Sequence, residues 1–367
     1  MKSDSTDARA RSWLMAWDSQ GPHRTGTEGD HAGANWLAAE ARSLGAEVTE
    51  ERFTLDRLDP GEVYLEVDGT RIPGVPVFDA PATPGVPGIV GAEIAVATLA
   101  PGAVYSGEYR ALRRQGGHAG LVIVCQGTHP GLGLLNAEQF NTPYGAPAIH
   151  VADRVPTGRP GRLVSESSRT RTAARNIVVT LKGRDPRRAP VVVMTPRSSW
   201  WHSTAERGGG LVCWLETLRA LLAAPPACDV VLTANSGHEL GHLGLDAFIA
   251  RRPGWDQAGG ATWVHYGANI GAVGGSLSVV SAEDGMRAAM RDALAAAGQP
   301  PDIMAPRTLV PSGETRDIHT AGGRYVTLVG SNPWFHLPGD RWPGTVDSHV
   351  ITRVAQGAAR MVVDLTR

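Results

Sequence analysis

The chain has 367 residues, 42% of them apolar and 19% charged, which is enough to bury a large core and too long for one small core. Lys and Arg number 35 against 36 Asp and Glu, so no net field draws the chain to nucleic acid or to an anionic membrane. No run approaches the roughly 20 apolar residues that span a bilayer. Three widely spaced cysteines, Cys125, Cys213 and Cys228, make neither a disulfide framework nor a CxxC metal site. The opening stretch MKSDSTDARARSWLMAWD lacks the apolar centre of a secretory signal. These features predict a cytoplasmic protein with neither a nucleic-acid nor a membrane partner.

Thr6-Asp7 offers helix N-cap types, and Trp13, Leu14, Met15 and Trp17 follow at helical spacing, which predicts a helix over 6–20. GPHRTGTEGD (21–30) breaks it. AGANWLAAEARSL (32–44) is a second amphipathic helix stopped by Gly45, and AEVTEERFTL (46–55) alternates as a strand. Residues 60–165 are rich in Gly, Pro and Val, with short strand-like runs such as GLVIVC and PAIHVA and one helix at 107–117. ESSRTRTAAR (166–175) is polar and basic, and reads as a solvated connector. The composition divides the chain into an N-terminal helical part (1–58), a β-rich insert (59–170) and a main α/β domain (171–367).

From Asn176 onward buried-type strands alternate with helices. NIVVTLKG, APVVVMT (189–195), CDVVLTAN (228–235), ATWVHYGANIGAV (261–273) and GRYVTLVG (323–330) are the strands. Residues 209–224, 282–298 and the closing SHVITRVAQGAARMVVDLTR are the helices. This pattern predicts a three-layer α/β/α domain around a mostly parallel mixed sheet. Ligands bind at the strand ends of such sheets. The loops there, 195–210, 235–244, 266–275 and 330–340, collect His, acidic and Trp residues. GGG at 208–210 reads as tight helix–strand packing, and no GxSxG, Walker A or strand-borne GxGxxG occurs.

SGHELGHLG (236–244) contains HExxH: His238, Glu239 and His242. A helical zinc protease needs both histidines on one helix face. Here the run follows directly on a strand, and Gly237, Gly241 and Gly244 interrupt it, each costing a helix interior about 0.8–1 kcal/mol relative to Ala. Leu245 stands where the HExxHxxGxxH pattern needs glycine. The segment therefore reads as strand, loop and helix.

In that register VVLTANSGHELGHLGLDAFI resembles the acidic loop of the M28 family of zinc aminopeptidases, an apolar strand followed by Gly-Ala-Glu-Glu-x-Gly-x-x-Gly-Ser. HRTGTEGDHAGANWLAAEARSLGAEVTEERF resembles that family's N-terminal helix, and NIVVTLKGRDPRRAPVVVMT its two strands before the first metal ligand. AERGGGLVCWLETLRAL resembles the Asn-Asp-Asn-Ala-Ser-Gly loop and helix, and SNPWFHLPGD the His-Thr-x-x-Asp loop. YRALRRQGGHAGLVIV and YGAPAIHVA resemble the protease-associated domain. The resemblance implies a zinc-exopeptidase-like fold with an inserted β-rich domain. It also implies two zinc ions held by five ligands and a general-base glutamate.

This sequence departs from that pattern. Thr195 stands at the first His ligand and Ala268 or Asn269 at an Asp ligand, while Glu206, Glu239 and His336 keep donors. His238 takes the general-base position. A dizinc site is therefore not expected. One zinc on Glu206, Glu239 and His336 is possible, with His202, His238 or His242 substituting for lost donors, and so is none. Arg197 would repel a cation there and pair instead with Glu206 or Glu239. His238 and Glu239 are the candidate catalytic residues. Arg197, Trp200, Trp201, His202, His242, Asn269 and Trp334 are the candidate substrate contacts, with Trp342 beside them. His265 and His319 read as structural, and Asp317–His319 as an incidental pair. The reading is an enzyme acting on an amide, peptide or amino-acid-like small molecule through a remodelled site. Its rivals are a pseudopeptidase that binds without turnover and, third, an ordinary zinc aminopeptidase.

Overall fold

Ser5, not Thr6 or Asp7, caps the first helix, α1 (Thr6–Asp18), its hydroxyl accepting the Ala8 amide at 3.2 Å. The structure is a computed structural model and describes residues 5–367, the Tyr105 side chain excepted. α2 (Glu28–Ser43) starts one turn before the expected residue 32. β1 (Val48–Val67) then runs for 20 residues. β2 (Thr70–Pro73), β3 (Val75–Pro76), β4 (Thr83–Ile89), β5 (Ile94–Leu99), α3 (Gly107–Arg114), β6 (Gly120–Cys125) and β7 (Ala148–Val151) build the β-rich part.

β8 (Pro160–Leu181) returns antiparallel along β1, from Val67↔Gly161 to Val48↔Val179, with one register shift between Pro60 and Val63. The polar run at 166–175 is thus not a connector but the middle of a 22-residue strand. Its charges are answered across the ladder, Arg175 by Glu50 at 2.9 Å and Arg171 by Asp56 at 3.2 Å. Cross-strand ion pairs look like solvated linker when only one strand is read.

The remaining elements are β9 (Val191–Pro196), α4 (Thr204–Ala223), β10 (Val230–Asn235), α5 (Leu243–Ala250), β11 (Thr262–Tyr266), β12 (Leu277–Val280), α6 (Asp284–Ala296), β13 (Ile303–Met304), α7 (Thr315–Thr320), β14 (Arg324–Gly330) and α8 (Ser348–Leu365); β12, β13 and α7 were not expected, and the strand expected over 261–273 ends at Tyr266. The main sheet runs β13-β12-β14-β11-β9-β10-β8-β1-β2, with β4 also on β8. Its central four strands, β14, β11, β9 and β10, are parallel, and antiparallel strands flank them. A second sheet, β3-β7-β6-β5, belongs to the insert.

Strand alternation assigns the two faces. Val191 and Val193 of β9 pack with Leu14, Leu211, Val354 and Ala355, under α1, α4 and α8. Val192 and Met194 pack on the other face with Leu245, Phe248 and Ile318, under α5 and α7. Helices on both faces of a mixed sheet make the expected three layers. Parallel strands end together, so the loops after β9, β10, β11 and β14 share one edge.

α4 begins at Thr204, so Gly208, Gly209 and Gly210 lie inside the helix. A Cβ on Gly209 would stand 2.0 Å from the Ile270 carbonyl oxygen, and one on Gly210 2.6 Å from Thr195 Oγ1. The glycines let α4 lie against the β9 and β11 ends, which brings Glu206 and Arg207 to the common edge. Gly209→Ala is expected to lower the unfolding free energy by about 1–3 kcal/mol, although alanine is the better helix former. A urea midpoint equal to that of the wild type would show that this crossing relaxes.

Candidate functional site

The loop after β10 is held by groups from the α1–α2 turn and the β9 loop. Gly237 and Gly241 take positive φ (84° and 81°), as does His242 (65°), and His238–Leu240 forms a single 3-10 turn. α5 starts only at Leu243, so HExxH is not helical. Ser198 Oγ accepts the Gly237 and His238 amides at 2.8 and 3.1 Å and donates to Glu239 Oε2 at 2.5 Å. Thr25 gives its amide and hydroxyl to Glu239 Oε1 at 2.7 and 2.6 Å. Glu239 is therefore a buried anchor tying the α1–α2 turn and the β9 loop to the β10 loop.

Arg197 does not pair with Glu206 or Glu239, contrary to the sequence expectation. One residue beyond β9, it reaches across β8 toward α2. There it meets Asp30 Oδ1 at 2.8 Å and the carbonyls of Asp30 and Arg175 at 2.6 and 2.9 Å. The guanidinium beside Glu206 belongs to its neighbour Arg207, 2.7 Å from Oε1, with both side chains fully buried. Arg207 Nε also donates to the Ser198 carbonyl at 2.8 Å. His336 Nε2 lies 3.2 Å from the same Glu206 oxygen, while its Nδ1 donates to the Leu134 carbonyl at 2.8 Å. Burial alone would raise the Glu206 pKa, but Arg207 and His336 outweigh it and hold the carboxyl at about 2. Asp340 caps α4 through the Ala205 and Glu206 amides at 2.7 and 2.9 Å, and burial pushes its own carboxyl up to about 6.

His238 Nδ1 faces Glu314 Oε1 at 3.7 Å. Burial, with Arg207, His242 and His265 nearby, holds this imidazole well below the usual histidine range. Burial pushes the Glu314 carboxyl the other way, to about 7. Below about 7 the proton of the pair therefore resides on the acid rather than on the ring. The His242 ring lies 5.1 Å from that of His238, and its Nδ1 is 2.6 Å from Asp317. Thr327 donates to the Thr315 hydroxyl, which in turn meets His265 Nδ1 at 2.5 Å. The Thr315 proton then serves Nδ1, and His265 carries its own on Nε2. Burial keeps that ring neutral, with a pKa of about 3.

These groups surround a cavity of about 210 Å³ at the common strand edge, lined by His238, His265, Asn269 and His336 and roofed by Pro101, Gly102, Val104 and Asn136 of the insert. Both Glu206 oxygens, both terminal nitrogens of Arg207, His238 Nδ1, His242 Nε2, His265 Nε2, Asn269 Oδ1, Glu314 Oε1 and His336 Nε2 are buried without a well-aligned hydrogen bond. Folded proteins leave few such atoms unpaired; His238, His265, Asn269 and His336 line the cavity and the other four residues lie behind them, which makes this the candidate site.

The zinc ligands implied by the resemblance were tested against this arrangement. The Thr195 hydroxyl donates to the Tyr266 carbonyl at 2.8 Å. Glu239 is filled by Thr25 and Ser198, and Arg207 occupies the Glu206 oxygen that a cation would take. Among the described residues, no group of three or more His, Cys, Asp or Glu side chains is arranged to hold a metal ion. The residues do not fit zinc.

The sequence matches no protein-family model and no curated protein. Its fold is shared with solved structures. BSAP, a zinc aminopeptidase from Bacillus subtilis, superposes with a TM-score of 0.81 at 17% identity, over 98% of this chain and 95% of that one. A peptidase M28 precursor from Shewanella amazonensis SB2B gives 0.70 at 18% identity, over 97% and 94%. A Porphyromonas gingivalis glutaminyl cyclase gives 0.54 at 14% identity, over 98% of each. The chain thus has the zinc-aminopeptidase fold along nearly its whole length.

The other sequence candidates scatter. Trp200 packs on Phe78 with ring centroids 4.4 Å apart, and with Trp201 lines a separate groove of about 560 Å³. Trp334 stacks on His129, Trp342 packs into the helix-covered core, and the His202 carbonyl receives Trp17. The tryptophans do not form one aromatic pocket around His238. Asp317 pairs with His242 rather than His319, and His265 lines the cavity instead of serving only as packing. Arg207, Glu314 and Asn136 were missed by sequence reasoning. Arg207 had one signal, its place beside Glu206; Glu314, in the loop PSGETRD, carries no motif.

Arg207→Leu would leave Glu206 as an uncompensated buried charge, with an expected loss of about 3–5 kcal/mol at pH 7. Adding Glu206→Gln should restore most of it. The folded pKa of Glu206 lies below its ordinary 4.5, so its stabilisation is present above that value and is lost as pH falls toward about 2. The gap between wild type and Arg207→Leu in urea unfolding should therefore shrink in acid. A gap that stays constant with pH would assign Arg207 to packing alone.

Proposed function

We propose that this chain is an M28-peptidase-related hydrolase that acts on the amide bond of a small or peptide-like molecule without a metal. One observation supports this above the others: the buried His238–Glu314 pair, in which Nδ1 faces the Glu314 carboxyl at 3.7 Å and the ring lines an amide-sized cavity. With Glu314 ionised behind it, a neutral imidazole can take a proton from an attacking water and return it to the leaving amine. His238 stands where the resemblance expects a carboxylate base, so the residue type changes while the role is kept. His265 and Asn269 lie on the opposite walls and would orient the substrate carbonyl and N–H. The insert, which we read as protease-associated in type, excludes water by roofing the cavity. Cofactor-free action is supported by Arg207, which supplies beside Glu206 the positive charge that a metal would bring.

A protein that binds without turnover is the second reading. It is favoured by the commitment of both Glu206 and Glu239 to internal partners. Amine or ammonia release from a panel of amides separates the two. His238→Ala should lower kcat/KM by about 10²–10⁴-fold, and unchanged activity would remove the proton-transfer role. Glu314 must be ionised to accept the second imidazole proton, so the rate should rise with pH through about 7. Glu314→Gln should flatten that limb. Dialysis against EDTA should change neither activity nor Tm; two firmly held zinc ions per chain would restore the ordinary peptidase.

A further inference from the structure

A site that holds a free amino terminus presents a carboxylate to it, because an ammonium ion taken from water needs a compensating charge. Among the described residues that line the 210 Å³ cavity, none carries a carboxylate. The three acids nearby are committed. Glu206 lies against Arg207 and His336, and Glu239 is wrapped by Thr25 and Ser198. Glu314 is fully buried, and its free oxygen faces the His238 ring rather than the cavity. The buried Arg207 charge close by disfavours a second cation.

The walls instead complement a neutral amide. Asn136 Oδ1 is taken by Trp200 Nε1 at 3.0 Å, which turns the Asn136 amide nitrogen out as a free donor. His265, with Nδ1 on Thr315, has its unpartnered Nε2 as a second donor. Asn269 gives its Nδ2 to the Gly330 carbonyl, which leaves a buried Oδ1 as an unpartnered acceptor. Two donors suit a carbonyl and one acceptor suits an amide N–H. At about 30 Å³ per water, the cavity holds roughly seven waters' worth of ligand, the size of one capped amino acid.

We propose that the substrate is an amine already neutralised by acylation, an N-acyl amino-acid amide or a neutral diamide of that size, and not a free amino terminus. This rests on the cavity being the functional site, as argued above, but not on its catalysing any reaction. The test is calorimetric binding of N-acetyl-L-alaninamide and of L-alaninamide at pH 6.5, where the free α-amine is charged. The acetylated compound should bind at least tenfold tighter. Ser312 lines the cavity from an exposed loop position, so Ser312→Phe should fold normally and weaken that binding at least tenfold. Equal or tighter binding of L-alaninamide, no saturation by either compound in the millimolar range, or binding unaffected by Ser312→Phe would each overturn the proposal. Binding of the acetylated compound without turnover would leave it standing while removing the hydrolase reading. Turnover of free-amine substrates would do the reverse.

Discussion

Arg207 carries a permanent positive charge to a place that water does not reach, and the chemistry of the edge follows from it. A guanidinium does not give up its proton in a protein, so its neighbours adjust instead. Glu206 is held as a carboxylate against it, while His238 and His265, buried and beside the same charge, are kept neutral. Glu314, buried without a cation of its own, retains its proton to near neutrality. Burial sets the direction at His238, His265 and Glu314, and Arg207 adds to it at the two rings while holding Glu206 ionised. The Glu206 oxygen that Arg207 and His336 share is the one a cation would otherwise meet.

The three-layer fold was legible because buried strands and amphipathic helices announce themselves over short windows. Val191 to Met194 show it best: consecutive apolar residues feed opposite faces of a sheet covered on both sides. The β1–β8 ribbon was not legible, since its polar middle makes sense only once Glu50 and Arg175, or Asp56 and Arg171, are seen across from each other. The candidate positions His238, Glu239 and His336 lie on strand-end loops and Glu206 in the first turn of α4, close to where the sequence pattern puts them. What was not legible was which charges would meet. Arg197 and Arg207 are ten residues apart and alike in sequence; only the direction of the chain after β9 sends one to Asp30 and the other to Glu206. Glu314 arrives from a loop with no pattern.

The HExxH spelling has a physical resolution. Left-handed backbone at Gly237, Gly241 and His242 breaks the run into a turn and a separate helix. Glu239 turns inward to Thr25 and Ser198, while His238 faces the cavity and His242 faces Asp317. Three residues that a helix would have aligned as ligand, base and ligand are given three different tasks.

The paired strands β1 and β8 carry the main sheet onward past β10 to an end where Leu65, Val67 and Leu163 pack against the second sheet. Two hydrogen-bonded strands of this length act as struts. Swinging the roof away as a rigid flap would tear ladder bonds along them, and the single shifted register at Pro60–Val63 is the sole soft joint in that pairing. Beside the cavity, Ser312 and Gly313 line its wall, and Leu309 and Val310 stand open to solvent just before them. The ceiling is fixed, a design that suits a compact guest better than the end of a long polymer.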